Sequence, residues 1–297
     1  MLKKINIIGC GYIGKKIAHL LKSMDVEPCC FVNSRNSKSD CDSQGLQTIL
    51  MDLGDSDLGL NEETISGFQN SIMVYLVPPQ RKGDTDTRMK NFVLKLKSLT
   101  VPPLKIVLIS TTGVYGNCKG EWIDELHPAN PQADRAFRRL SAETRLQKYC
   151  DDTQVECIVF RVPGIYATDK LPVKRITSGE PIVNAEDSGL TNRIHADDLS
   201  AFCVEALLKT VSSGIYNCCD GSPSTMNDYF TKVADALKLP RPEEISLSQA
   251  QQELSSGMLS YLAESKRISN KKLLDNFETR LKYPDLDAGL KNLIQIN

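Results

Sequence analysis

The 297-residue chain predicts a doubly wound, parallel α/β sheet with a smaller mixed lobe at its C-terminal end. Three observations predict it. Short apolar runs alternate with helical patterns through the first half, and a glycine-rich turn follows the first run. From residue 163 the rhythm loosens, with Pro or Gly at 163, 164, 172, 179 and 181. The expected division is a sheet domain over 1–162 and a smaller lobe over 163–297. The two are interleaved, because the stretch from about 191 to 220 ends in a strand-like run that can return to the sheet.

Ile5-Asn6-Ile7-Ile8 reads as the first strand. Ile13, Ile17, Leu20 and Leu21 then give the i, i+4, i+7, i+8 spacing of a helix packed against it. Further strands are expected over 28–32, 46–50, 72–77, 105–110 and 155–161, with helices over 85–99 and 133–149. Pro102-Pro103 stops the first of these two helices. Gly214-Ile215-Tyr216-Asn217-Cys218-Cys219 is the returning strand. Ser224-Thr225 offers a hydroxyl cap to an amphipathic helix carrying Met226, Tyr229, Phe230, Val233 and Leu237.

Hydrophobic residues make up 41% and charged residues 25%, which fits a folded core and excludes disorder, collagen and coiled coil. With 36 basic and 37 acidic side chains the net charge is −1, so neither nucleic acid nor an anionic membrane is an expected partner. The opening residues lack a signal-peptide pattern, and no apolar run approaches the ~18 residues of a membrane span. A reducing cytoplasm is the expected home of the ten cysteines. The vicinal pairs Cys29-Cys30 and Cys218-Cys219 lack the spacer of a metal knuckle, and with only three histidines no metal site is expected.

Gly9-Cys10-Gly11-Tyr12-Ile13-Gly14 fits G-x-G-x-x-G between a strand and a helix, the context in which the pattern carries meaning. Gly9 permits the tight turn, Gly11 admits a pyrophosphate close to the backbone, and Gly14 lets helix and strand pack closely. The phosphates then meet the helix N-terminus and the amides of Tyr12 and Ile13. Near the end of the second strand, where an NAD binder carries an acidic residue, stand Asn33, Ser34 and Arg35. No carboxylate repels a 2′-phosphate there and a guanidinium is at hand, so NADP is the expected cofactor, with NAD as the alternative. Asp52, after the third strand, is placed to accept from an adenine amino group or to start a loop.

Ser110-Thr111-Thr112-Gly113-Val114-Tyr115-Gly116 follows the strand at 105–110, Arg161-Val162-Pro163-Gly164-Ile165-Tyr166 leaves the next, and Arg193-Ile194-His195-Ala196-Asp197-Asp198-Leu199 precedes Gly214-Ile215-Tyr216-Asn217. In this order the segments resemble the extended short-chain dehydrogenase/reductases, which have a Rossmann sheet and include the NAD-dependent epimerase/dehydratases of nucleotide sugars. The resemblance implies that Thr111 orients a substrate oxygen and that Tyr115 borders the nicotinamide pocket, although an aromatic at that place more often serves packing. It fails at the family's Tyr-x-x-x-Lys pair. Counted from Leu140-Ser141-Ala142-Glu143, those places hold Arg135 and Arg139. An arginine does not shuttle protons near neutrality.

The chain is thus similar to the atypical subgroup that keeps the glycine motif and lacks that pair. Arg135 and Arg139 share a helix face at i, i+4 spacing. The resemblance implies that Arg139 holds the nicotinamide ribose and that the pair favours an anionic substrate; otherwise, with Arg138, Arg145 and Lys148, they cover a solvated helix surface. Tyr115, Asp124, Tyr166 and His195 are the residues to consider as replacement acids. Of these, His195 reads as a structural histidine and Asp124-Glu125 as loop, while Asp198 reads as a helix cap. Lys266 and Arg267 are placed to neutralise a diphosphate or to flank a helix in solvent.

The function expected is an NAD(P)-dependent oxidoreductase or epimerase-like enzyme acting on a sugar nucleotide or other anionic small molecule. The alternative is a non-catalytic NADP-binding redox sensor or scaffold. A homodimer through helices flanking the sheet is also expected.

Overall fold

The computed structural model describes residues 4–54, 66–253, 259 and 262–294. Seven strands form one parallel sheet: β1 (Ile5–Ile8), β2 (Cys29–Val32), β3 (Gln47–Leu50), β4 (Ile72–Tyr75), β5 (Lys105–Thr111), β6 (Glu156–Val162) and β7 (Gly214–Asn217). Their spatial order is β3-β2-β1-β4-β5-β6-β7, and every neighbouring pair is parallel. The order reverses between β1 and β4, which opens a crevice at the carboxyl ends of the strands. The returning strand pairs Tyr216 with Phe160.

The central parallel strands are covered on both faces, so most of their residues are apolar on either side rather than alternating with polar ones. Ile7, Val74, Val107 and Ile158 point to one core. There they meet Ala18 and Leu21 of α1 (Tyr12–Lys22) and Leu199 and Phe202 of α5 (Ala196–Leu208). Ile8, Tyr75, Leu108 and Val159, each one residue further along, point to the other. Phe92 and Leu96 of α3 (Thr87–Lys97) and Leu146 of α4 (Asp134–Thr153) close that face. A separate core holds the C-terminal lobe, where Phe230 and Val233 of α6 (Met226–Ala236) pack on Tyr166, Ile176, Ile182 and Leu290. Thr225 caps α6 by accepting from the Asp228 amide at 3.0 Å.

Two local expectations need correction. The sequence pattern leaves out α2 (Arg35–Ser43), whose only buried residue is Cys41. It forms without an apolar stripe because Ser34 caps it, accepting from the Ser37 amide at 3.2 Å, and Lys38 bridges Asp42 and the Thr48 carbonyl. Asp198 does not cap α5. The His195 ring does, accepting from the Asp197 amide at 3.2 Å, while Asp198 accepts from the amides of Lys282 and Tyr283 at 2.8 and 3.0 Å. His195 also stacks on Tyr283 at 3.8 Å between ring centroids, and burial lowers its pKa.

Below the crevice the sheet carries a buried polar web. Glu143 of α4 accepts from Arg161 Nη2 at 2.8 Å and from the Ser110 hydroxyl, and both its carboxylate and the guanidinium are buried. The same guanidinium lies 4.6 Å from the Tyr115 ring centroid. Removing one member of such a pair strands the other charge. Glu143→Ala is expected to cost about 3–5 kcal/mol in urea unfolding; a loss below about 1 kcal/mol contradicts this reading of the web.

Asp220 sits where β7 leaves for the lobe, accepting from the Ser222 amide at 2.9 Å. Burial pushes its carboxyl up to about 7. The unfolded carboxyl ionises near ~4, so its favourable contribution is present below that pH and is lost as pH rises through about 7. Asp220→Asn is therefore expected to raise stability at pH ~8 by roughly 2–4 kcal/mol, with the gain vanishing near pH ~4. A gain independent of pH in urea titrations contradicts the assignment.

Candidate functional site

The turn between β1 and α1 is built on backbone hydrogen bonds. The amides of Gly9 and Cys10 both donate to the Phe31 carbonyl, at 3.0 and 2.9 Å, and the Gly11 amide donates to the Gly9 carbonyl at 2.8 Å. Gly9 has φ +92°, and a Cβ there would lie 2.9 Å from the Val77 amide nitrogen, so no other residue fits. A Cβ on Gly14 would come within 3.0 Å of the Gly9 carbonyl oxygen, which is the close helix-to-strand contact. Over Gly11, by contrast, there is open space. No side chain caps α1, so its first amides, Tyr12 and Ile13 among them, have neither an intrahelical nor a side-chain cap acceptor, and the positive end of the helix dipole lies at this turn.

This space belongs to a cavity of about 210 Å³ lined by Gly9, Gly11, Asn33, Asp52, Pro78 and Arg88, among others. Asn33 is exposed at the end of β2, and Asp52 Oδ1 accepts from the Gly54 amide at 2.8 Å. Arg35, the first residue of α2, is exposed and is not part of the cavity wall. The guanidinium on that wall is Arg88 of α3, which donates from Nη1 to the Pro78 carbonyl at 2.9 Å while its buried Nε has no hydrogen-bond partner. Sequence reasoning missed Arg88, since it lies outside the glycine motif and reaches the site only through the packing of α3. Half-buried Tyr12 donates to Asp169 Oδ1 at 2.5 Å, with Lys170 4.7 Å from its ring centroid. It fastens the segment after β6 beside the glycine turn.

Across Val77–Pro79 lies a second cavity of about 390 Å³, whose lining includes Thr111, Thr112, Arg135, Arg139, Asn192, Glu264 and Lys266. The structure thus brings Thr111, Arg135 and Arg139 together. Thr111 Oγ1 accepts from the Gly113 amide at 3.2 Å. Arg139 donates to the Val77 carbonyl at 3.1 Å, and burial draws its pKa down against the opposing pull of Asp86. Arg135 Nη2 stands 3.9 Å from Glu264 Oε1. Arg138, between them in sequence, is buried and turned to the Gly83 carbonyl. This helix face is therefore not a solvated basic surface.

Tyr115 and Lys266 are both buried. Tyr115 does not reach the second cavity: it is buried, with its hydroxyl donating to Asn217 Oδ1 at 2.8 Å and burial pushing its pKa up to about 12. Lys266 is no solvated flank, being buried with Nζ 2.6 Å from the Gly116 carbonyl oxygen and 2.5 Å from Glu264 Oε2. Glu264 also lines this cavity, and no motif in the sequence points to it. Among the described residues, no group of three or more His, Cys, Asp or Glu side chains is arranged to hold a metal ion, and no helix is long and apolar enough to cross a membrane. All ten cysteines are free thiols.

A Rossmann-like α/β protein with paired cavities at the topological switch point is the class that these elements define. The sequence profile of the NAD dependent epimerase/dehydratase family matches residues 5–219, and the chain belongs to that family. Comparison with curated proteins gave no match. Among solved structures, a functionally unknown conserved protein from Silicibacter pomeroyi DSS is similar with TM-score 0.81 and 22% identity, over 99% of this chain and 98% of that one. UDP-glucose 4-epimerase from Thermotoga maritima with UDP-glucose gives TM-score 0.77 and 17% identity over 98% and 97%. dTDP-glucose 4,6-dehydratase from Bacillus anthracis in complex with NAD gives 0.76 and 18% over 99% and 96%. At these identities the likenesses carry the fold.

Proposed function

We propose that the chain is an NAD(P)-dependent oxidoreductase or epimerase-like enzyme acting on a sugar nucleotide or another anionic small molecule. One observation carries this reading: the uncapped start of α1 opens on a cavity that meets, across Val77–Pro79, a second cavity holding Thr111, Arg135, Arg139, Glu264 and Lys266. The residues fit a nicotinamide dinucleotide. Gly9, Gly11 and Gly14 seat the pyrophosphate on the free amides, Asp52 accepts from the adenine amino group, and Asn33 and Arg35 meet the adenosine ribose or its 2′-phosphate. Arg139 holds the nicotinamide ribose, Thr111 orients a substrate oxygen, and Arg135 attracts an anionic substrate. A bound nicotinamide supplies hydride transfer; the chain's part is to orient the substrate beside it.

The redox-sensor alternative gains where only arginines and apolar groups wall the second cavity. Glu264 and Lys266 line it too, which favours an enzyme. The Thermotoga relative, solved with UDP-glucose, supports a sugar nucleotide as substrate class. Exposed Leu94 on α3 and Phe137 on α4 support pairing of two copies through that helix face.

NADP is the preferred cofactor, because Asn33 stands where a carboxylate would repel the 2′-phosphate. Calorimetric titration is expected to show NADP binding more tightly than NAD, and Arg35→Ala is expected to lower NADP affinity roughly tenfold while leaving NAD within about twofold. An NAD preference untouched by Arg35→Ala contradicts the 2′-phosphate assignment. Absence of binding by both sinks the functional reading.

A further inference from the structure

Glu264 lies on a segment pinned from several sides. The Lys266 amide donates to the Leu190 carbonyl at 3.1 Å, the Ile268 amide to Asn192 Oδ1 at 3.0 Å, and the Cys118 amide to the Ser265 carbonyl at 3.1 Å. Glycine at 189 allows this close packing, since a Cβ there would lie 3.0 Å from the Glu264 carbonyl oxygen. The C-terminal segment is thereby held against the sheet domain at the second cavity, with the Glu264 side chain on its wall and only 11% exposed.

The two carboxylate oxygens have different surroundings. Oε2 accepts from Lys266 Nζ, and Lys266 is itself anchored on the Gly116 carbonyl. Oε1 is buried, has no hydrogen-bond partner, and lies 3.9 Å from Arg135 Nη2, too far for a hydrogen bond. A buried acceptor left unmade costs about 1–3 kcal/mol, a cost that a ligand donor can remove. The neighbouring ammonium and guanidinium offset the carboxylate's charge, so an anionic ligand can approach it. The matching donor is a hydroxyl, and Thr111, Thr191 and Asn192 add further polar groups on the same wall.

We infer that Glu264 Oε1 accepts a hydrogen bond from a hydroxyl of a glycosyl group bound in the second cavity, making Glu264 a specificity-determining residue for a hydroxyl-rich substrate. This deepens the functional reading above and rests on its substrate class. The carboxylate, fixed by Lys266, distinguishes a glycosylated nucleotide from the bare nucleotide. A site built to pair a hydroxyl rejects the analogue that lacks it, because the buried group is then left unpaired.

The probes are UDP-glucose and UDP, titrated by calorimetry into the full chain with and without NADP. Wild-type protein is expected to bind UDP-glucose more tightly than UDP. Glu264→Ala is expected to weaken UDP-glucose binding at least about tenfold, Glu264→Gln by less, and neither to change UDP binding. Thermal melting of both variants and their NADP titration report whether the fold is kept; the Gln variant preserves side-chain volume if the Ala variant fails. UDP-glucose affinity within about twofold of wild type in the folded variants overturns the assignment. So does a wild-type protein that shows no gain for UDP-glucose over UDP, including one that binds neither. Loss of NADP binding in the wild type would instead count against the cofactor reading, and the glucosyl comparison without NADP is read separately.

Discussion

The structure depends on one tight turn, in which two successive amides, Gly9 and Cys10, share the Phe31 carbonyl. That pair of hydrogen bonds ties the end of β1 to β2 and fixes where α1 starts. It also consumes the glycine's freedom: φ of +92° and the approach to Val77 exclude any side chain. The turn therefore leaves the first amides of α1 unpaired and uncapped. Free amides at a helix start, with the helix dipole behind them, favour an anion.

The second cavity follows a different logic. Where the sequence resemblance leads one to expect a tyrosine and a lysine, α4 carries Arg135 and Arg139, and the burial of Arg139 is offset by the Val77 carbonyl and by Asp86 nearby. The C-terminal segment adds an acidic and a basic side chain to this cavity wall, Glu264 and Lys266. Beneath it, the Glu143–Arg161 pair and the Tyr115 hydroxyl are used for holding β5, β6 and β7 together. A tyrosine beside the strand end is thus structural here, while a glutamate distant in sequence faces the site.

The sheet was legible because buried parallel strands are short continuous apolar runs, and β1 to β6 each appear as one within a residue or two of their ends. α2 was not, since RNSKSDCDS has no apolar face and is held by a cap and a lysine-aspartate pair that periodicity does not register. The glycine turn was readable because its geometry is local, each glycine answering to one backbone demand. Arg88 and Glu264 were not readable, because each reaches its cavity through tertiary packing, from α3 and from the segment pinned at Leu190. Tyr115 follows its packing alternative: its loop is near the crevice, and its ring turns inward toward Arg161.

The central claim is that the uncapped amides of α1 receive the pyrophosphate of a nicotinamide dinucleotide. Amide chemical shifts followed by NMR as NADP or NAD is added test it most directly. The account predicts saturable shifts at Gly11, Tyr12 and Ile13, beyond those produced by nicotinamide alone. Shifts confined to other parts of the chain, or none at these three amides with either dinucleotide, would contradict it.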